Sequence, residues 1–315
     1  MDKVVGRFAP TPSGRMHLGN LFCALLAWLS ARSAGGRIIL RMEDLDPLRT
    51  SPAYARQLEE DLLFLGLDWD EGGSLGGPHG PYEQSARTAY YESLLVQLEE
   101  MGLIYPCFCS RAQLHAASAP HASDGEVVYP GTCRDLTPEQ RAARRAVKDP
   151  ALRLRVPSQM LCVDDGHFGR ICQRLDLECG DFILRRSDGV FAYQLAVVAD
   201  DAAMGVTQVV RGRDLLSSAP RQVYLFRLLG FPVPQFIHTP LLLAADGRRL
   251  SKRDRDLDLD ALRAKGYTGA DLVGRLAFLA GLIPRPIPCA PAELLPGFSW
   301  EKVPCADLLV PEELF

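Results

Sequence analysis

RFAPTPSGRMHLGN, residues 7–20, is the stretch on which the reading of this chain turns. It lies between a short apolar segment, KVVGRF at 3–8, and the apolar run LFCALLAWL. Pro10 and Pro12 stiffen the backbone, while Gly14 and Gly19 strip it of side chains. A loop built this way lets another molecule approach the main chain closely. The run behind it reads as a helix from about Leu18 to Ser33, apolar nearly all round and therefore buried. The positive end of that helix, beside the imidazole of His17, suits a phosphate. Read alone, a short His-x-Gly pattern is more simply a rigid surface turn carrying one histidine.

Working outward, residues 3–8 read as a strand, RIILRME (37–43) as a second strand ending at Glu43-Asp44, and residues 51–65 as a helix opened by Ser51-Pro52. Strand, helix, strand, helix predicts an α/β fold with a parallel sheet and crossover helices. Ligands in such sheets sit beyond the carboxyl ends of the strands, so the 9–17 loop and Glu43 can face one pocket. GGSLGGPHGP (72–81) reads as a loop and 84–101 as an amphipathic helix. Residues 105–135 read as irregular, 137–148 as an arginine-rich helix and 152–184 as strands. VFAYQLAVVADDAAMG reads as helix, VTQVVRG (206–212) as a buried strand and 217–229 as helix. The tail beyond 255 reads as mostly helical, then proline-rich.

Length and composition, 315 residues with 47% hydrophobic and 23% charged, are those of an ordinary globular chain of about two domains. A net charge of −4 excludes a globally basic nucleic-acid binder, so an RNA partner needs a local basic face. The arginines at 141–148 offer one, or else simply a solvated helix face. MDKVVGRF lacks the features of a secretory signal, and the apolar run at 18–29 is too short to span a bilayer. A cytoplasmic location with no membrane partner is expected. None of the nine cysteines is therefore expected to be disulfide-paired.

GRRLSKRD (247–254) is a polar, glycine-led loop presenting Ser251 and Lys252. A lysine on such a loop can follow negative charge developing on phosphates. A third group is CFCS (107–110) with YPGTC (129–133). Cys107, Cys109 and Cys133 suit tetrahedral zinc, with His115, His121 or Tyr129 as fourth ligand.

Together these motifs resemble the class I aminoacyl-tRNA synthetases. PTPSGRMHLGN is similar to their HIGH signature, with Asn20 where the last His stands. RLSKR is similar to KMSKS, keeping Ser251 and Lys252. RFAPTPSG and RMEDLD resemble the glutamyl-tRNA synthetases in particular, and the likeness runs from about residue 4 to about residue 260. It implies a Rossmann-like parallel sheet in two halves, 1–102 and 191–255. Between them lies an inserted zinc-containing, acceptor-like subdomain at 103–190, and 256–315 forms a short helical extension.

The resemblance also implies roles. Arg7 would pair with a carboxylate of the amino acid, Ala9 and Thr11 would line its pocket, and Glu43 would hold its ammonium. Tyr193 and Arg211 would complete the glutamate site. His17, Gly19, Asn20, Ser251 and Lys252 would bind ATP, with His17 and Lys252 catalytic and Mg²⁺ accompanying the nucleotide. Arginine suits a substrate carboxylate because its planar fork binds two oxygens at once, whereas glutamine carries no charge to reward it. The alternative for Arg211 is a structural ion pair with Asp200, Asp201 or Asp214, and for Tyr193 a simple core aromatic.

Roughly 60 residues follow Arg253, fewer than an anticodon-binding domain needs. This shortened layout resembles the glutamyl-queuosine tRNA(Asp) synthetases, which also pair Cys-x-Cys with Tyr-x-x-x-Cys. That likeness implies a zinc set of Cys107, Cys109, Tyr129 and Cys133. It also implies tRNA-independent activation of L-glutamate by ATP. Transfer to queuosine in the anticodon stem-loop of tRNA(Asp) would follow, carried out by a monomer. The alternative is a glutamyl-tRNA synthetase-like body that charges a tRNA 3′ end.

Overall fold

The computed structural model describes residues 3–110, 113, 128–248, 250 and 258–315. Its first half alternates β1 (Val5–Phe8), α1 (Leu18–Ser33), β2 (Arg37–Leu40), α2 (Pro52–Phe64), β3 (Glu71–Gly72) and α3 (Thr88–Glu100). β1, β2 and β3 pair in parallel, with Arg7 opposite Ile39. Helix α1 keeps the predicted bounds because both ends are specified locally. His17 caps its start, and Gly35 follows its end in the left-handed region, with φ of 64°.

Next come β4 (Ile104–Cys107), α4 (Pro138–Arg145), β5 (Ala151–Leu154), β6 (Met160–Asp165), β7 (Gly169–Arg174) and β8 (Ile183–Arg185). β4, β5 and β8 form an antiparallel sheet, and β6 and β7 form a hairpin. That hairpin corrects the expectation that no cysteine is disulfide-bonded. Its register sets Cys162 directly opposite Cys172, and the two are joined. The compartment argument weighed the cysteines by location alone and did not use this cross-strand pairing.

The chain then returns through α5 (Tyr193–Ala203), β9 (Gln208–Gly212), α6 (Ala219–Leu228) and β10 (Gln235–Thr239). β9 pairs in parallel with β10 and lies against β1, where the Thr207 amide donates to the Val5 carbonyl at 2.9 Å. Both carboxyl ends, at Phe8 and Gly212, thus open on the same side as the 9–17 loop.

The tail adds α7 (Leu259–Ala264) and α8 (Gly269–Leu279), and its Leu308–Leu309 segment pairs in parallel with Leu242–Leu243. One apolar core joins α1 to α8 through Leu21, Leu25, Leu272 and Leu276, so the tail shares the core of the first βα unit. A second core lies on the other side of the sheet, among α3, α5 and α6. No described helix is long and apolar enough to cross a membrane.

Candidate active site

A cleft of about 400 Å³ opens at the carboxyl ends of β1 and β9. Arg7, Ala9 and Thr11 line it from the first strand and its loop, and His17, Gly19 and Asn20 from the start of α1. Glu43, Tyr193 and Arg211 line it from three further elements. Every described residue expected at the ATP and glutamate sites therefore borders one space. Ser251 and Lys252 lie outside the described residues, but Leu250 borders the cleft. On the far side of that segment, Asp258 bridges His17, and the Leu259 amide donates to the Met16 carbonyl at 3.2 Å. Arg15 adds a bond to Asp260 at 2.5 Å, so the start of α7 is stitched to the first loop.

At the head of α1, the Gly19 amide donates to Nδ1 of His17 at 3.1 Å, and the His17 amide donates to Oδ1 of Asn20 at 3.3 Å. This is a reciprocal capping box. Accepting at Nδ1 leaves the ring proton on Nε2. A Cβ at Gly19 would stand 3.0 Å from the His17 ring, so glycine is needed there for the cap itself. Asn20 fills its position as the box's second partner, a function the sequence reading did not give it.

Buried charge organises the opposite wall. Arg7 is 5% exposed and donates to the Val210 carbonyl at 2.9 Å, while its Nε stands 3.5 Å from Asp201 without a hydrogen bond. Arg41, fully buried, donates to Asp201 at 2.7 Å and to Glu43 at 3.3 Å. Burial pushes the Glu43 carboxyl above the usual range, against the pull of Arg41 and Arg7. Arg87 and Tyr91 hold Asp200. Sequence reasoning missed Arg41, although it stands in the RMEDLD stretch. An arginine directly after a buried strand and two residues before a cleft carboxylate was the available signal.

Among the described residues Arg211 makes no salt bridge, so the ion pair weighed for it with Asp200, Asp201 or Asp214 does not form. Asp200 and Asp201 are taken by Arg41, Arg87 and Arg7. Its Nε donates to Nε2 of His238 at 3.0 Å, and Nη1 to Gln222 at 2.7 Å and to Tyr193 at 3.5 Å. Nη2 donates to the Leu215 carbonyl at 3.3 Å. Among the described residues four of the five guanidinium protons are thus used, leaving one on Nη2. Tyr193, accepting from Arg211, keeps its hydroxyl proton for another partner. Burial holds Arg211 below the usual arginine range: Tyr193 opposes the shift, and Arg7 adds to it.

The comparisons agree with this geometry. Residues 3–284 match the family model for the catalytic domain of class I tRNA synthetases (E and Q). A glutamyl-Q tRNA(Asp) synthetase of Symbiobacterium thermophilum is 54% identical over 98% of this chain and 96% of its own length. The chain belongs to the glutamyl-Q tRNA(Asp) synthetase family. It is accordingly a ligase of the class I synthetase type. A family member from Nitratidesulfovibrio vulgaris is 51% identical, again over 98% of this chain and 96% of its own length. Among solved structures, a glutamate tRNA ligase from Elizabethkingia meningosepticum, in complex with its amino acid, superposes with a TM-score of 0.85. It is 28% identical, over 99% of this chain and 68% of that one.

Away from the cleft, the sulfurs of Cys107, Cys109 and Cys133 lie within 4.8 Å of one another. Cys109 and Cys133 are 3.7 Å apart, close to the roughly 3.8 Å edge of a tetrahedron with zinc–sulfur bonds of about 2.3 Å. The Tyr129 hydroxyl is 3.5 Å from the Cys107 sulfur and accepts from the Cys133 amide at 2.7 Å. The three sulfurs are close enough together to hold one metal ion. His115 and His121 lie outside the described residues.

Proposed function

We propose that the cleft activates L-glutamate with ATP, without tRNA, and that the glutamyl group then passes to queuosine at the wobble position of tRNA(Asp). The observation carrying this reading is the convergence of Arg7, Arg211 and Glu43 on the space beside the capped start of α1. Two guanidinium groups beside one carboxylate suit an amino acid with two carboxylates and one ammonium. In this reading Glu43 holds the ammonium, and one carboxylate lies against Arg7. Arg211 and Tyr193 complete the site, and Ala9 and Thr11 bound it.

The nucleotide enters as its Mg²⁺ complex. Its phosphates lie at the start of α1, near Gly19 and Asn20, where Nε2–H of His17 donates to them. Ser251 and Lys252 approach from the second loop. The glutamate α-carboxylate attacks the α-phosphorus in line. A new carboxyl-oxygen-to-phosphorus bond forms and the bond to pyrophosphate breaks. No protein nucleophile takes part, so catalysis is positioning and charge stabilisation. A ring hydroxyl of queuosine then attacks the activated carbonyl and AMP leaves. In this reading the leaving phosphate accepts that hydroxyl's proton.

Cys107, Cys109, Cys133 and Tyr129 would hold one structural zinc, whose role is to tie residues 129–133 back to the end of β4. We further read 103–190 as a subdomain inserted between the catalytic halves 1–102 and 191–255, with 256–315 as an extension. The protein acts as a monomer in the cytoplasm. Incubation with radiolabelled glutamate, ATP and tRNA(Asp), with and without queuosine, tests the reading. Label confined to the anticodon arm of queuosine-containing tRNA supports it; label at the 3′ end, or on tRNA lacking queuosine, overturns it.

A further inference from the structure

Asp165 closes β6 at the turn of the disulfide-joined hairpin, far in sequence from the glutamate pocket, yet it reaches that pocket through one histidine. Its Oδ2 stands 2.6 Å from Nδ1 of His238, while Oδ1 accepts from the amides of His167 at 3.0 Å and Phe168 at 2.9 Å. The hairpin turn lies flush on β10. The Gly166 amide donates to the Phe236 carbonyl at 2.8 Å, and a Cβ at Gly166 would come within 2.8 Å of Ile237. His238 is itself fully buried, and its Nε2 accepts from Nε of Arg211.

A guanidinium can only donate, so Nε2 of His238 must be bare and the ring proton must sit on Nδ1, pointing at Asp165. The carboxylate therefore selects the tautomer, the tautomer supplies the acceptor, and the acceptor fixes the rotation of Arg211. With Gln222 holding Nη1, that rotation decides where the remaining Nη2 proton points.

We propose that Asp165 and His238 are positioning residues for glutamate, through which the β6–β7 hairpin sets the aim of Arg211. This rests on the reading that Arg211 binds the amino acid. The test is glutamate-dependent exchange of pyrophosphate into ATP by the full chain, with KM for glutamate and for ATP measured separately. His238→Phe, which removes the acceptor, is expected to raise KM for glutamate about tenfold or more while KM for ATP stays within about twofold. His238→Gln, which returns an acceptor oxygen near Nε2, is expected to recover most of that loss. Asp165→Asn, which no longer enforces the tautomer, is expected to fall between them, and it carries the test should His238→Phe fail to fold. Unchanged glutamate KM in His238→Phe or Asp165→Asn, or equal rises for both substrates, overturns the proposal. Wild-type exchange that does not depend on glutamate overturns the underlying reading instead.

Discussion

Glu43 shows how the wall of the cleft works residue by residue. Burial raises its carboxyl above the usual range, and Arg41, which donates to it at 3.3 Å, and Arg7 oppose that shift. Removing the charge while keeping the shape isolates what it does for a substrate ammonium. Glu43→Gln is expected to raise KM for glutamate by roughly 10- to 100-fold, the range for one charge-assisted hydrogen bond, in pyrophosphate exchange assays. His238 carries a second consequence. Burial, with Arg211 adding to it, holds its imidazole below the ordinary value of 6.5 although Asp165 pulls the other way. Below that pH the unfolded chain binds a proton on His238 that the folded protein refuses. Stability should therefore fall as pH drops through about 6.5, by at most about 1.4 kcal/mol per unit from this group. Urea unfolding between about pH 7.5 and 5.5 should show that slope in the wild type and its loss in His238→Gln. The places of Arg7 and His17 on the cleft were legible from local motifs, and that of Arg211 from the family resemblance. Arg41 and the Asp165–His238 pair were not, because their meaning lies in partners such as Asp201 and Arg211, far away along the chain.

At the scale of elements, legibility followed local completeness. Helix α1 carries its own cap, its own stop and a continuous apolar surface, and it has the predicted bounds of Leu18–Ser33. The second strand was expected to reach residue 43 but ends at Leu40. From Arg41 the main chain turns to meet the first loop and the 80s, with the Met42 amide donating to the Tyr82 carbonyl and the Glu43 amide to Pro10. The two-residue strands at 71–72 and 308–309 carry no sequence period at all. The hairpin at 160–174 could have been paired from sequence, since Cys162 and Cys172 are equidistant from His167. The thiol group after β4 makes an element-level prediction. Mass spectrometry of the purified protein should find about one zinc per chain. Cys133→Ser should lose it and melt at lower temperature, because the four donors would no longer close around an ion.

In the whole molecule, the tail is part of the catalytic body's architecture. Trp300 donates to Ser30 of α1 at 3.1 Å and packs against His167 and Phe298, and Asp307 accepts from the Leu241 amide at 2.9 Å beside the cleft. Trp300→Ala should cost about 2 kcal/mol of unfolding free energy, less than a fully buried tryptophan because the ring is only half-buried, as read from chemical denaturation. In the proposed reading the parallel sheet, the cleft at its strand ends and the capped start of α1 make one device, and its selectivity for glutamate would rest on Arg7 and Arg211 beside Glu43. Exchange of pyrophosphate into ATP, measured without any RNA, tests that directly. The account predicts robust exchange with L-glutamate and at least about 100-fold less with L-glutamine, in line with the loss of a charged, bidentate partner. No exchange with glutamate, or equal exchange with glutamine, would contradict it.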